Sequence, residues 1–177
     1  MFNIEIKARC SDHNRIREIL KSNNARFQGQ DHQIDTYFKI QAGKRLKLRQ
    51  GNIENSLIFY EREDVQGPKK SEIILINEPP PSLKDLLSKA LGILVVVDKE
   101  REIYFIENVK FHIDTVQGLE GSFVEIEAID KDGTIGEIKL LEQCKYYLSL
   151  FGLSKSQLVE GSYSDLLLKQ IALGAKP

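Results

Sequence analysis

Three basic residues with period-two spacing carry the strongest chemical signal in the sequence. Arg45, Lys47 and Arg49 alternate with Leu46 and Leu48, which places the three charged side chains on one face of a predicted strand. A solvated strand face is the alternative interpretation of this segment taken alone. If the face is confined, the three like charges must repel one another in the empty protein. Such a face therefore predicts a site for a dense anion such as a polyphosphate.

Carboxylates follow the same alternation on two other segments of the chain. Glu5 lies in a strand pattern over 2–9, and Glu125 and Glu127 lie in another over 122–130. These groups would repel a polyphosphate, so they are not suited to bind it directly. They are suited to hold a hard divalent cation, Mg or Mn, that bridges carboxylate and phosphate oxygens.

The elements that must position these residues are mostly strands. Period-two alternation predicts eight of them, over 2–9, 34–40, 44–50, 56–63, 70–76, 95–105, 107–115 and 122–130. Four helices are predicted: one capped by Ser11 or Asp12, a short one from 78–82 to Leu91, one opened by Gly133 or Thr134, and one after Ser162. Eight antiparallel strands can close into a barrel. Apolar helix faces outside would allow charges inside, which predicts an α+β fold with a closed antiparallel eight-stranded β-barrel and helices packed outside.

Composition limits the class of protein. The 177 residues are of a size typical of one domain, so we expect a single domain over 1–177. The 25 Lys and Arg balance 26 Asp and Glu, and this net charge of −1 disfavours nucleic acid as a partner. No apolar run approaches the length of a membrane helix, and Cys10 and Cys144 form no disulfide framework. We therefore expect a cytoplasmic protein without a membrane partner.

The order of several short motifs resembles the CYTH family, which contains class IV adenylyl cyclases and thiamine triphosphatases and is also described as triphosphate tunnel metalloenzymes. The resemblance covers about residues 3 to 168 and implies a charged tunnel that binds a triphosphate with Mg or Mn. In the family's opening Glu-x-Glu-x-Lys motif, Asn3 stands where the first Glu is expected. The motifs are Asn3–Lys7, His32–Phe38, Arg45–Arg49, His112–Asp114, Phe123–Glu127 and Ser162–Leu167.

The resemblance also implies roles for individual residues. Substrate-binding positions are Lys7, Arg45, Lys47, Arg49, Arg62, Lys70, Arg101 and Lys110. Metal ligands are Glu5, Glu125 and Glu127, with Asn3 and Asp114 as further oxygen ligands. Catalytic candidates are Lys7, Arg49, His112 and Tyr163. His112 is added because it is in register with Lys110 and Asp114 on a predicted inner face.

The predicted function is a metal-dependent enzyme that acts on a triphosphate. Attack by water on inorganic, nucleoside or thiamine triphosphate would be hydrolysis, whereas attack by a ribose 3′ hydroxyl on ATP would release cyclic AMP. Hydrolysis demands less of the site, because water needs no adenine pocket. The alternative is a binding module that holds polyphosphate or a nucleotide without turnover, which the loss of a carboxylate at Asn3 keeps open. A homodimer is also left open, and recognition of RNA ends is disfavoured.

Overall fold

The computed structural model describes residues 1–61 and 67–174, so Arg62 lies outside the described residues. The strands are β1 (Phe2–Arg9), β2 (Arg26–Phe38), β3 (Lys44–Gly51), β4 (Ser56–Glu61), β5 (Lys69–Asn77), β6 (Ile93–Ile106), β7 (Val109–Val116) and β8 (Phe123–Asp130). The helices are α1 (His13–Ser22), α2 (Leu83–Leu91), α3 (Glu137–Leu150) and α4 (Tyr163–Gly174). Within these two described stretches, no helix combines the length and apolar character needed to cross a membrane.

The strands form a closed barrel in the order β1-β5-β4-β3-β2-β6-β7-β8, with every neighbouring pair antiparallel. The predicted fold class is thus confirmed. Closure pairs both edges of the sheet and fixes which residues face one another across the interior.

The outer face of the barrel is apolar where helices cover it. Ile4 and Ile6 of β1 pack with Ile16 and Leu20 of α1 and with Leu140 of α3, and each of the five is at most 3% exposed. Burying such a side chain contributes about 1.5–3 kcal/mol. Because this hydrophobic core lies outside the barrel, the alternate residues of each strand are left to line the inside with polar groups.

A second apolar cluster closes one end of the barrel with α4. Its buried members are Tyr37, Val95, Val97, Val116, Phe123, Val159 and Tyr163. The predicted helix after Ser162 is confirmed, and Ser162 caps it: the Ser162 amide donates to Asp165 Oδ2 at 2.8 Å, and the Asp165 amide donates to Ser162 Oγ at 3.2 Å. The interior is therefore accessible from the opposite end.

The second strand differs from its prediction, since β2 begins at Arg26 rather than at residue 34. Residues 26–33 are mostly polar and lack apolar alternation, so no local pattern marks them as a strand. They pair with β6 along its length, with an irregularity between Phe27 and Gly29. The Phe27 and Tyr104 rings lie 4.8 Å apart across this pair. Tertiary pairing, rather than local propensity, forms this part of the strand.

Candidate functional site

The open interior of the barrel is a cavity of about 300 Å³. Residues from all eight strands line it, because alternate positions of each strand point inward. The predicted site residues that line it are Asn3, Glu5, Lys7, Lys47, Arg49, Arg101, Lys110, His112, Glu125, Glu127 and Tyr163. One cavity therefore holds both the basic and the acidic side chains that the sequence singled out.

Three predicted residues within the described chain are not on the cavity wall, and their predictions are corrected here. Lys70 is exposed on the outer face, where its Nζ lies 2.7 Å from Glu137 Oε2, whereas Lys69 is buried and lies opposite Glu5. The register of β5 decides which lysine points inward. Arg45 lies toward the closed end and pairs with Asp165 at 3.1 Å.

Asp114 is the third of these residues. It is fully buried, and its two oxygens accept hydrogen bonds from Arg101 at 2.7 and 2.5 Å and from the Tyr163 hydroxyl at 2.7 Å. A carboxylate engaged in this way orients the Arg101 guanidinium and the Tyr163 ring. Asp114 therefore lies behind the cavity wall, in contact with these two side chains.

Three basic side chains of the cavity converge on one buried carboxylate that the sequence analysis missed. Asp35 binds Lys47 at 3.0 Å, Lys99 at 2.7 Å, and Arg49 through two hydrogen bonds of 2.8 and 3.0 Å. Burial alone would raise the pKa of Asp35, but Arg49, Lys47 and Lys99 hold it well below its usual value. The expectation of unrelieved repulsion among the cations is therefore wrong, because Asp35 compensates them.

A second missed carboxylate, Glu54, enters the cavity from the loop between β3 and β4. It binds Arg49 at 2.9 Å and also Lys110. Although burial opposes ionisation, these two cations lower the pKa of Glu54. Asp31 holds the loop by accepting hydrogen bonds from the backbone amides of Ile53 and Glu54, at 2.8 and 3.0 Å. No strand periodicity marks a loop residue, so only its place in the fold reveals it.

Glu125 lies among hydrogen-bond donors. Its oxygens lie 2.8 Å from Lys7 Nζ, 2.8 Å from Arg101 Nη2 and 3.0 Å from His112 Nδ1. Burial and the charge of Arg101 lower the pKa of His112, so the imidazole is neutral at pH 7 and donates its Nδ1 proton to Glu125. Its Nε2 atom is buried and has no hydrogen-bond partner among the residues that the structure describes.

The acidic residues near the open end fit a hard divalent cation. Glu5 and Glu127 are directly opposite one another in the β1–β8 pair and both line the cavity. Two facing carboxylates repel unless a cation lies between them. Asn3 donates from Nδ2 to Glu127, and its Oδ1 is buried with no hydrogen-bond partner in the described parts of the chain, 1–61 and 67–174. Mg²⁺ is commonly held by one or two carboxylates together with substrate phosphates and water.

The wall formed by β4 and β5 is different in character. Ile58, Ile73 and Leu75 line it, and Ile53 of the preceding loop extends it. Apart from Glu54 and Glu78 in the flanking loops, the charged side chains that line the cavity come from the other strands. Because Ser56, Tyr60, Ser71 and Asn77 lie beside these apolar residues, the cavity has a charged side that suits phosphates and an uncharged side that suits an organic group.

Comparison with known proteins relates the chain to one protein family. The model of the CYTH domain matches residues 1–160. Several similar proteins carry the name of a putative adenylate (adenylyl) cyclase, and three of them are described. The one from Methanocaldococcus jannaschii is 29% identical over 176 residues, which cover 94% of this chain and 98% of the relative.

The other two are solved structures. The protein from Vibrio parahaemolyticus has a TM-score of 0.74 at 19% identity and covers 95% of this chain and 98% of its own. The Hippeastrum protein, which is described as having a dominant triphosphatase activity, has a TM-score of 0.64 at 14% identity, with 95% and 96% covered. At these identities the likeness shows a shared fold.

Proposed function

The chain belongs to the CYTH family, and on that premise we propose that it is a metal-dependent enzyme that hydrolyses a triphosphate. The observation that carries the proposal is that one cavity is lined by both basic and acidic side chains. The facing carboxylates are Glu5 and Glu127. The basic residues are Lys7, Lys47, Arg49, Arg101 and Lys110. Cations bind the phosphate oxygens, and carboxylates supply the hard oxygens that a divalent metal needs. Binding a metal together with a triphosphate therefore requires both the cations and the carboxylates.

We assign Glu5 and Glu127, assisted by Asn3, to hold Mg or Mn. The metal, when bound, supplies neutralisation of phosphate charge in the transition state. Glu125 differs from Glu5 and Glu127 in the number of close donors: Lys7, Arg101 and His112 all lie within 3.0 Å of its oxygens, whereas Lys7 Nζ lies 3.7 Å from Glu5 Oε1. Glu125 therefore orients Lys7, Arg101 and His112 toward the substrate.

The remaining residues bind and orient. Lys7, Lys47, Arg49 and Arg101 donate to the phosphate oxygens, and His112, whose Nε2 carries the lone pair, accepts the proton that the attacking water loses. Tyr163 supports Lys7, whose Nζ lies 4.0 Å from the centre of the tyrosine ring. Its hydroxyl remains protonated, because burial and the nearby Asp114 raise the pKa of Tyr163.

A product assay tests the proposal. The purified chain is incubated with Mg or Mn and, separately, with inorganic triphosphate, ATP and thiamine triphosphate, and the products are identified. We expect phosphate to be released only when metal is present. Ligand binding with no product in any arm would instead establish the non-catalytic binding module.

Cyclisation of ATP is the second candidate function. It is favoured by the apolar wall of Ile58, Ile73 and Leu75, against which a base could pack. The name of the Methanocaldococcus jannaschii relative supports the same candidate. Cyclic AMP and pyrophosphate in the ATP arm of the assay would identify this reaction.

Triphosphate affinity is expected to fall as pH rises above neutrality. Burial lowers the pKa of Lys99 to about 7, although Asp35 opposes the shift. Above pH 7 the empty protein therefore loses a positive charge from the cavity, and affinity that depends on this charge falls by up to about tenfold per pH unit. Calorimetric titration with inorganic triphosphate between pH 6 and 9 measures the effect.

Lys99→Arg is the matched control, because arginine keeps its proton throughout this range. The variant should lose the part of the pH dependence that belongs to the protein and keep the part that belongs to titration of the triphosphate. Identical pH profiles for the two proteins would contradict a role for Lys99 ionisation.

Asn3→Glu should strengthen metal binding. The new carboxylate would stand beside Glu127, where Asn3 now lies, and would add a negative charge to the pair formed with Glu5. The same charge should lower the melting temperature of the metal-free protein, because three carboxylates would then be close together. A Mn²⁺ titration followed by electron paramagnetic resonance gives the affinity. An unchanged dissociation constant would place residue 3 outside the coordination shell.

A further inference from the structure

Glu54 is an anion that the protein itself places in the cavity. Its carboxylate lies 2.9 Å from Arg49 Nη1 and pairs with Lys110, and Gln33 Nε2 donates to it at 3.1 Å. All three of these partners are hydrogen-bond donors and two are cations, which is the environment that a phosphate oxygen requires. In the empty protein, Glu54 therefore occupies a position that suits an anionic ligand.

The loop that carries Glu54 is fixed through its backbone. Asp31 accepts hydrogen bonds from the amides of Ile53 and Glu54. At the next residue, the Asn55 carbonyl accepts a hydrogen bond of 3.0 Å from the Glu78 amide. Because these bonds hold the main chain, a movement of the Glu54 carboxylate requires rotation of its side chain and leaves the loop in place.

Glu54 differs in its exposure from Asp35, the other carboxylate that binds Arg49. The Asp35 side chain is only 1% exposed and pairs with three cations, so it stays behind Arg49 when a ligand enters. The Glu54 side chain is 24% exposed. Its loop joins the end of β3 to the start of β4, at the open end of the barrel. Rotation can therefore carry the Glu54 carboxylate out of the cavity and into solvent.

A triphosphate cannot share Arg49 and Lys110 with a carboxylate, since the negative charges would repel one another at close range. We propose that Glu54 determines which anions enter the cavity: it neutralises Arg49 and Lys110 in the empty protein and turns toward solvent when a triphosphate binds. This role rests on the triphosphate function proposed above and adds selectivity to the same cavity. Gln33 also donates to Asp31 at 2.7 Å, so its amide group retains a partner when Glu54 leaves.

Displacement of Glu54 selects by the number of phosphates in the ligand. A single phosphate that takes its place at Arg49 and Lys110 exchanges one anion for another, so the exchange stabilises the complex little. A triphosphate extends beyond these two cations toward Lys7 and Lys47, which line the same cavity. The additional charge-assisted hydrogen bonds offset the loss of the Glu54 ion pairs. Glu54 therefore disfavours orthophosphate and admits triphosphate.

Calorimetric titration with inorganic triphosphate, in the absence of metal, tests the displacement. Glu54→Gln keeps the shape of the side chain and removes the charge that holds it against Arg49 and Lys110. A displaced state that makes up about 10% of the empty protein or less weakens the apparent affinity about tenfold or more. The dissociation constant of the variant should therefore fall by about tenfold or more relative to the wild type.

Glu78→Gln is the matched control. It removes the same charge from a side chain that also lines the cavity but is exposed to solvent. Because solvent and salt screen an exposed charge, this variant should change the dissociation constant by less than about twofold. A similar gain in both variants would mean that net charge alone sets the affinity, and would overturn the role of Glu54.

Two further measurements separate displacement from a structural role. Ligand-free Glu54→Gln should melt at a lower temperature than the wild type, because Lys110 loses its anionic partner. A purely structural role would lower the triphosphate affinity together with the stability, whereas displacement changes them in opposite directions. Orthophosphate should also bind more tightly to the variant than to the wild type, since it must displace the same carboxylate.

The outcomes distinguish this inference from the proposed function. A triphosphate affinity that is unchanged or weaker in Glu54→Gln would overturn the role of Glu54, and wild-type turnover in the product assay would leave the triphosphatase standing. Equal orthophosphate affinities in the two proteins would overturn it as well. A wild type that neither binds triphosphate nor forms product would refute the proposed function together with this inference.

Discussion

Glu127→Gln should reduce metal-dependent kcat/KM by about 100-fold or more, given that even residues that only support a metal ligand cost 10–100-fold when replaced. The amide keeps the shape of the side chain and removes its charge. Glu127 faces Glu5 across the β1–β8 pair, so Glu5→Gln should have a similar effect. Product release measured over a range of Mg²⁺ or Mn²⁺ concentrations checks the loss and shows whether added metal restores activity.

Stability separates this effect from misfolding. Removing one of two facing carboxylates relieves repulsion, so Glu127→Gln should melt at the wild-type temperature or above it. Glu125→Gln should instead lower the melting temperature, because Lys7 and Arg101 lose a buried anionic partner. Glu100→Gln, an exposed outer-face substitution on β6, is the control and should change neither quantity. Full activity in Glu127→Gln would show that this carboxylate does not hold the metal.

Asp35→Asn should produce the largest loss of stability among the cavity variants. It leaves Lys47, Arg49 and Lys99 without the anion on which they converge. Removing one partner of a buried ion pair costs about 3–5 kcal/mol. For a protein of this size that corresponds to a fall in melting temperature of roughly 10 °C.

The same variant should respond more strongly than the wild type to inorganic triphosphate. A bound anion restores the missing negative charge, and a ligand specific for the folded state stabilises it. Thermal melting with and without triphosphate measures both effects. Asp98→Asn, which alters a half-exposed pair with His32, is the control and should melt close to the wild type. An unchanged melting temperature in Asp35→Asn would contradict the compensation inferred for Asp35.

The pH dependence of stability has a definite sign at this residue. The folded-state pKa of Asp35 is below the unfolded value, so its contribution is present at neutral pH and is lost as pH falls through the folded pKa. Asp35→Asn should therefore weaken the acid-induced loss of stability. Acid unfolding of the two proteins at several pH values below 5 compares them directly.

Much of the barrel was predictable because period-two alternation is a property of the chain itself. Alternation along β1 puts Asn3, Glu5 and Lys7 on one face and Ile4 and Ile6 on the other, and the structure places the first set on the cavity wall and the second under the helices. The same held for Lys47 and Arg49. When helices with apolar faces cover the outside of the barrel, the isoleucines are buried against them. The charged side chains, which lie at alternate positions on the same strand, must then point into the interior.

What local sequence could not settle was register and pairing. Lys69 and Lys70 are adjacent and chemically identical, and only the alignment of β5 with β1 places Lys69 opposite Glu5. Asp114 belongs to a predicted inner face, yet Arg101 and Tyr163 occupy both of its oxygens. Glu54 lies in a loop that has no periodicity, and Asp31 brings it to Arg49.

The sequence by itself determined the alternation of charged and apolar side chains, the eight strands, and hence a barrel with its polar face inward. That information is local, because neighbouring residues on a strand must point to opposite faces. Tertiary structure decided which charges meet: the convergence of three cations on Asp35, the facing pair of Glu5 and Glu127, and the closure of one end by α4. Those contacts join residues from strands that are distant in the chain, and they depend on barrel order and stagger, which no single segment encodes.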